Sequence, residues 1–189
     1  MLSDSIANLC NSLSCVGYRG DQHTNILIKE TDKLAKLKNI TLDAPNGDWL
    51  SFTPDKGRTS LAKMSPLLAT GAAHKHHCAC DSVILVMRNN QLTVLYIDLK
   101  SDNHAGYVNQ FKSTRQFMRY LLGLLEEFYN LKLPIFDERY IVLHTRKNSL
   151  LIKKPTTPNL EKLKNTKPDN AFKREVTNND KIYLKELLD

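Results

Sequence analysis

Asp81, Asp98 and Lys100 are the residues of this chain whose types and spacing could carry chemistry. Two β-rich runs, Ser82 to Arg88 and Leu92 to Leu99, flank Asn89-Asn90, a dipeptide that tolerates the positive φ angles of a tight hairpin turn. With a two-residue loop Arg88 faces Gln91. Each step outward pairs the next residue down with the next one up, so Asp81 falls opposite Asp98. Directly opposed side chains share a face, with Cβ atoms about 4.5–5.5 Å apart. Two carboxylates so placed repel unless a cation lies between them. Hard Mg²⁺ suits the pair, because it is commonly held by one or two carboxylates plus waters and substrate phosphate oxygens. Strand periodicity then puts Lys100 on the face of Asp98 and Leu95, Ile97 and Leu99 on the other. An ammonium there can orient or deprotonate an attacking water and stabilise charge building on a phosphoryl group.

These residues need a scaffold, and the flanking sequence predicts one. Ile6, Leu9, Cys10 and Leu13 recur at helical spacing behind Ser3 or Asp4 as caps, which predicts a short opening helix that ends before Gly17–Asp21. Short strands are expected over Thr24–Ile28 and Trp49–Thr53, with Ala44-Pro45-Asn46-Gly47 as a turn between them. A basic loop or interrupted helix follows over Gly57–Leu68. After the hairpin, Phe111, Met118, Leu121, Leu122, Leu125 and Phe128 form the apolar stripe of a long helix from about Asn103 to Tyr129, stopped by Asn130 and Pro134. Arg139–Thr145 reads as a further strand, with Leu150–Lys153 pairing beside it. The order predicts an α/β fold.

Cys80-Asp81-Ser82-Val83-Ile84-Leu85, then Tyr96-Ile97-Asp98-Leu99-Lys100, then Gln110 in the next helix, resembles the PD-(D/E)XK nuclease superfamily over about residues 78–145. The resemblance implies a restriction-endonuclease-like αβββαβ core, a central mixed sheet flanked by helices. It also implies Mg²⁺-dependent hydrolysis, with Mn²⁺ able to substitute, in which Asp81 and Asp98 hold the metal and Lys100 activates water. Gln110, ten positions past Lys100, could reach a metal-bound water or a phosphate. Gln116 and Tyr120 match the Gln-x-x-x-Tyr pattern of the recombination-exonuclease branch, yet lie about 160–200° around the helix from Met118, away from the sheet. The chain departs from the pattern in two ways. No Pro precedes Asp81, and the acid usually given by the first helix has only Asp4, Asp21 or Glu30 to match it.

Other polar clusters admit plainer readings. Lys112, Ser113, Thr114 and Arg115, with Arg58, Lys63 and Lys75, could meet backbone phosphates or simply form solvated faces. His74, His76, His77, Cys78 and Cys80 have the ligand types of a zinc site, but adjacent His76 and His77 crowd a tetrahedron. Packing is the simpler role for them and for Cys10 and Cys15, with a histidine, or His104, near the substrate as a further option.

The 189 residues, 41% of them hydrophobic, fit one domain over 1–153 and a basic tail or docking arm over 154–189 ending in a short helix. From Arg146 to Arg174 nine basic side chains meet two acidic ones, which matches the net charge of +7 of the whole chain. That balance favours a polyanion. Met1–Cys10 has an acid where a secretory signal would be basic, and no apolar run approaches the roughly 20 residues of a membrane span. The expectation is a soluble cytoplasmic nuclease acting on DNA, as an effector of prokaryotic antiphage or restriction defence, with a homodimer or a larger partner such as an ATPase as possible company. The alternative is a catalytically inactive nuclease-fold subunit that binds nucleic acid or scaffolds a complex.

Overall fold

A computed structural model describes residues 2–55, 68–69, 73, 75–101, 106–145 and 163–189. The expected basic loop with Arg58 and Lys63, His74, His104, the strand at Leu150–Lys153 and the boundary at 153 lie outside the described residues.

The fold is α/β, with a mixed central sheet and two helices. Helix α1 (Asp4–Ser12) is capped by Ser3, whose Oγ accepts the Ile6 N–H, and buries Ile6 and Leu9. A six-stranded sheet follows in the order β1-β4-β5-β6-β7-β8, made of β1 (Val16–Arg19), β4 (Trp49–Phe52), β5 (Ser82–Arg88), β6 (Gln91–Lys100), β7 (Ile135–His144) and β8 (Phe172–Glu175). Its first four strands are antiparallel neighbours, and β6, β7 and β8 run parallel. Helix α2 (Tyr107–Tyr129) supplies the crossover that a parallel β6–β7 pair requires. A smaller sheet holds β2 (Asn25–Lys29), β3 (Asn39–Asp43) and β9 (Lys181–Tyr183), with β3 in the middle.

Two apolar cores sandwich the large sheet. Ile84, Val86, Leu95, Ile97, Leu99, Ile141 and Leu143 pack with Ile26, Ile28, Ile40, Leu42 and Ile182 of the smaller sheet. On the opposite face Val83, Leu85, Val94, Tyr96, Tyr140 and Val142 meet Ile6 and Leu9 of α1 and Phe111, Met118, Leu121 and Leu125 of α2. The stripe of α2 faces the sheet as its spacing predicts, although Phe128 is 72% exposed. Asn130 closes the helix in the left-handed region at φ 53°.

Three expectations need correction. The strands near Thr24 and Trp49 are not joined by one turn, because β3 lies between them and they belong to different sheets. Gly17, expected to lie in a break after the first helix, sits inside β1. Residues 163–189, expected as a tail or docking arm, are part of the body: β8 extends the large sheet and β9 the small one. Leu163, Val176, Ile182, Leu184, Leu187 and Leu188 are buried in the core. In place of a terminal helix, a 3-10 turn (Leu184–Leu187) is pinned by Arg139, which donates to the Leu187 carbonyl at 2.9 Å. In β9 the apolar Ile182 is buried between two exposed neighbours, whereas β8 carries charge along most of its length and joins the sheet through its backbone pairing with β7. Among the described residues no helix is long and apolar enough to cross a membrane.

Candidate active site

The hairpin forms in the predicted register: Arg88 pairs with Gln91 and Ser82 with Ile97, around Asn89 and Asn90 at φ 51° and 60°. Asp81 stands one residue outside the ladder, at the level of Asp98. Its carboxylate accepts the Leu99 N–H, which ties the entrance of β5 to the exit of β6.

Asp98 is fully buried on the helix side of the sheet. Lys100 Nζ forms an ion pair with its Oδ2 at 2.8 Å, and Oδ1 has no hydrogen-bond partner. The same ammonium donates to Gln110 Oε1 at 2.8 Å, so the first turns of α2 brace it from above. Asp81, Asp98, Lys100 and Gln110 are therefore brought together. Gln116 and Tyr120 are exposed on the far side of the helix.

Electrostatics strain the pair. Burial first, and then the charge of Asp98, holds the Asp81 carboxyl well above the usual range, against the pull of the Leu99 N–H. Burial pushes Asp98 up to about 6, although Lys100 and Asp81 draw it back. The charge of Glu30, just past β2, raises both. Of the three candidate acids only Glu30 makes itself felt at the pair. Asp4 lies exposed in α1 and Asp21 is engaged with Arg19 at 2.8 Å.

The helix hydroxyls prove to be structural. Thr114 accepts the Cys80 N–H at 3.1 Å, and Ser113 donates to the His76 carbonyl. Both are buried and fasten the 3-10 turn at Lys75–His77, and with it the approach to Asp81, onto α2. Among the described residues no three His, Cys, Asp or Glu side chains stand close enough to hold an ion, and His74 of the His/Cys cluster lies outside them. Cys80 is fully buried, which raises its thiol far above the ordinary range, and it donates to the Ser82 carbonyl. His76 and His77 both turn to the Ala69 carbonyl.

The carboxylate pair could hold a divalent cation through two ligands. Asp98 Oδ1, buried without a hydrogen-bond partner beside the Asp81 carboxylate, is the kind of donor a hard ion takes when it completes its shell with water and phosphate oxygens. No protein-family model, curated protein or solved structure matches this chain.

One residue absent from the sequence reading joins the site. His144, the last residue of β7, is the register partner of Lys100. The alternation Tyr140, Val142, His144 was its only local signal. Its neighbour across the sheet is set by the β6-α2-β7 crossover, which no short motif encodes.

Proposed function

We propose that this chain is a Mg²⁺-dependent nuclease of the PD-(D/E)XK type that hydrolyses phosphodiester bonds of nucleic acid, with DNA as the polymer. The observation that carries the reading is Asp98: a carboxylate with 0% exposure, held between the second carboxylate of Asp81 and the ammonium of Lys100, which pairs with its Oδ2 at 2.8 Å. Burying like charges costs stability, and a structural role would be served better by an apolar residue. The succession β4, β5, β6, α2, β7, with α1 ahead of it, has the order of the αβββαβ core, with β1, β2 and β3 as an insertion. The net charge of +7 suits a phosphate backbone.

In this reading Asp81 and Asp98 hold Mg²⁺ or Mn²⁺, with Glu30 as a more distant acid whose charge is felt at both. The ion would supply Lewis acidity toward the phosphoryl oxygens and make water a stronger acid. Lys100 orients the attacking water and steadies the charge that develops on the phosphoryl group, while Gln110 fixes its ammonium. Antiphage or restriction defence in the cytoplasm, with a homodimer to cut both strands or an ATPase as partner, extends the same proposal. The reading as an inactive nucleic-acid-binding subunit is favoured by one observation: no three-ligand cluster forms among the described residues.

Purified protein incubated with plasmid, linear and single-stranded DNA, and with RNA, should cleave with Mg²⁺ or Mn²⁺ and not with EDTA. Asp98→Ala and Lys100→Ala should each lower the rate at least about a hundredfold, the scale of losing one charge-stabilising group. Cleavage by both variants at the wild-type rate would remove the assignment.

A further inference from the structure

Helix α2 carries a second apolar stripe. Tyr120, Leu124 and Phe128 recur every four residues, and at about 100° per residue they fall within an arc of about 80°. That arc lies about 100° around the helix from the one that meets the sheet. Tyr120 is 64% exposed, Phe128 72% and Leu124 partly so, and none of the three belongs to either apolar core. Single exposed rings are ordinary, but aligned ones make a patch of the kind that partners cover.

Two features on the same side of the helix say what the patch fits. Gly123 sits in the helix interior, where glycine is the poorest former apart from proline, yet a side chain there would meet nothing within 4 Å beyond the helix backbone itself. Packing within one chain makes no use of that gap, whereas a second helix can approach closely through it. The charges supply the direction of approach. Lys112 and Arg119, both exposed, precede Gly123, while Glu126 and Glu127 stand in the last turn, where the helix dipole disfavours acids. Glu126 is met by Lys132 at 3.6 Å. A helix with bases ahead of its gap and acids behind it is complementary to itself turned end for end.

We infer that this face of α2 docks a second copy of the chain, the two helices running antiparallel about a two-fold axis that passes between Gly123 and Leu124. Each Leu124 then enters the gap at the partner's Gly123, Tyr120 lies beside the partner's Phe128, and Arg119 meets the partner's Glu127. A two-fold interface is self-complementary, so every one of these contacts is made twice. The inference stands apart from the nuclease reading and gives a location to the homodimer which that reading admits.

Sedimentation velocity of the full chain at several concentrations, with thermal midpoints alongside, tests it. Wild type should sediment as a dimer when concentrated and as a monomer when dilute. Tyr120→Lys and Phe128→Lys should each weaken association at least about tenfold, the scale of losing one aromatic anchor, without lowering the midpoint of the dilute chain. Gly123→Leu, which strengthens the isolated helix, should weaken association as well. Arg119→Glu and Glu127→Arg should each weaken it by a smaller factor, most visibly at low salt, and the double variant should recover it. A wild type that stays monomeric at every concentration overturns the proposal, as does a dimer that survives both lysine variants. A charge-swapped double variant no tighter than the single ones overturns the antiparallel pairing. Should either lysine variant melt early, the charge swap at two exposed positions carries the test. Mg²⁺-dependent cleavage is measured on the same samples: a dimer that cleaves nothing removes the nuclease reading alone, and a monomer that cleaves removes this one alone.

Discussion

Strand β6 has two faces that do different work. Toward the smaller sheet it presents Leu95, Ile97 and Leu99, packed among apolar side chains. Toward α2 it presents Tyr96, Asp98 and Lys100, and the apolar packing gives way to buried charge within two residues. One face gains stability from every side chain it buries, while the other gives some up to hold carboxylates in an environment that disfavours their charge. The all-apolar side is thus the foundation on which the costly side is built.

The largest effect should come from removing the foundation. Deletion of residues 163–189 takes away Leu163, Val176, Ile182, Leu184, Leu187 and Leu188, all buried. At about 1.5–3 kcal/mol each, their loss rivals the roughly 5–15 kcal/mol that separates folded from unfolded states. The shortened chain should have no cooperative thermal transition by circular dichroism; a sharp melt with native near-ultraviolet signal would make the two faces independent after all. Next, Leu42→Ala in β3, at a site with 0% exposure, should cost about 2–5 kcal/mol in denaturant titration while leaving cleavage per folded molecule unaltered. A loss of turnover at full folding would blur the division of labour.

The smallest effect has the most telling sign. Because Asp98 is raised from 3.8 to about 6 in the folded state, its contribution is most favourable below the unfolded value and is lost as pH rises through about 6. Asp98→Asn should therefore melt higher than wild type at pH 7 in chelator, by on the order of 1–3 kcal/mol, with the advantage gone below about pH 4. Added Mg²⁺ should raise the wild type toward the variant. An asparagine variant less stable than wild type at neutral pH would mean that Asp98 is structural.

What could be read in the sequence follows from the range over which each contact is encoded. The Asp81–Asp98 alignment was legible because Asn89-Asn90 fixes the register within a few residues, and Gln110 because a helix stripe fixes its rotation. Strands β3, β8 and β9, of three to five residues, were not legible, since their partners lie far along the chain. The sequence of β8, Phe172-Lys-Arg-Glu175, also resembles solvated surface, as edge strands tend to. His144 and the reach of Glu30 escaped for the same reason. One depends on a parallel crossover, the other on how the two sheets stack.

Strand β9 runs parallel to β3, and the Asn178 side chain bridges the backbone of Lys36 and Lys38 from 142 and 140 positions away. A contact of such sequence separation pays its loop-closure entropy before it is rewarded, so it belongs to the late, slow part of folding. The chain consequently carries its own clock. Behind Asp98 and Lys100 the floor is complete only once β9 has docked, so the proposed site is assembled by one of the last contacts to form.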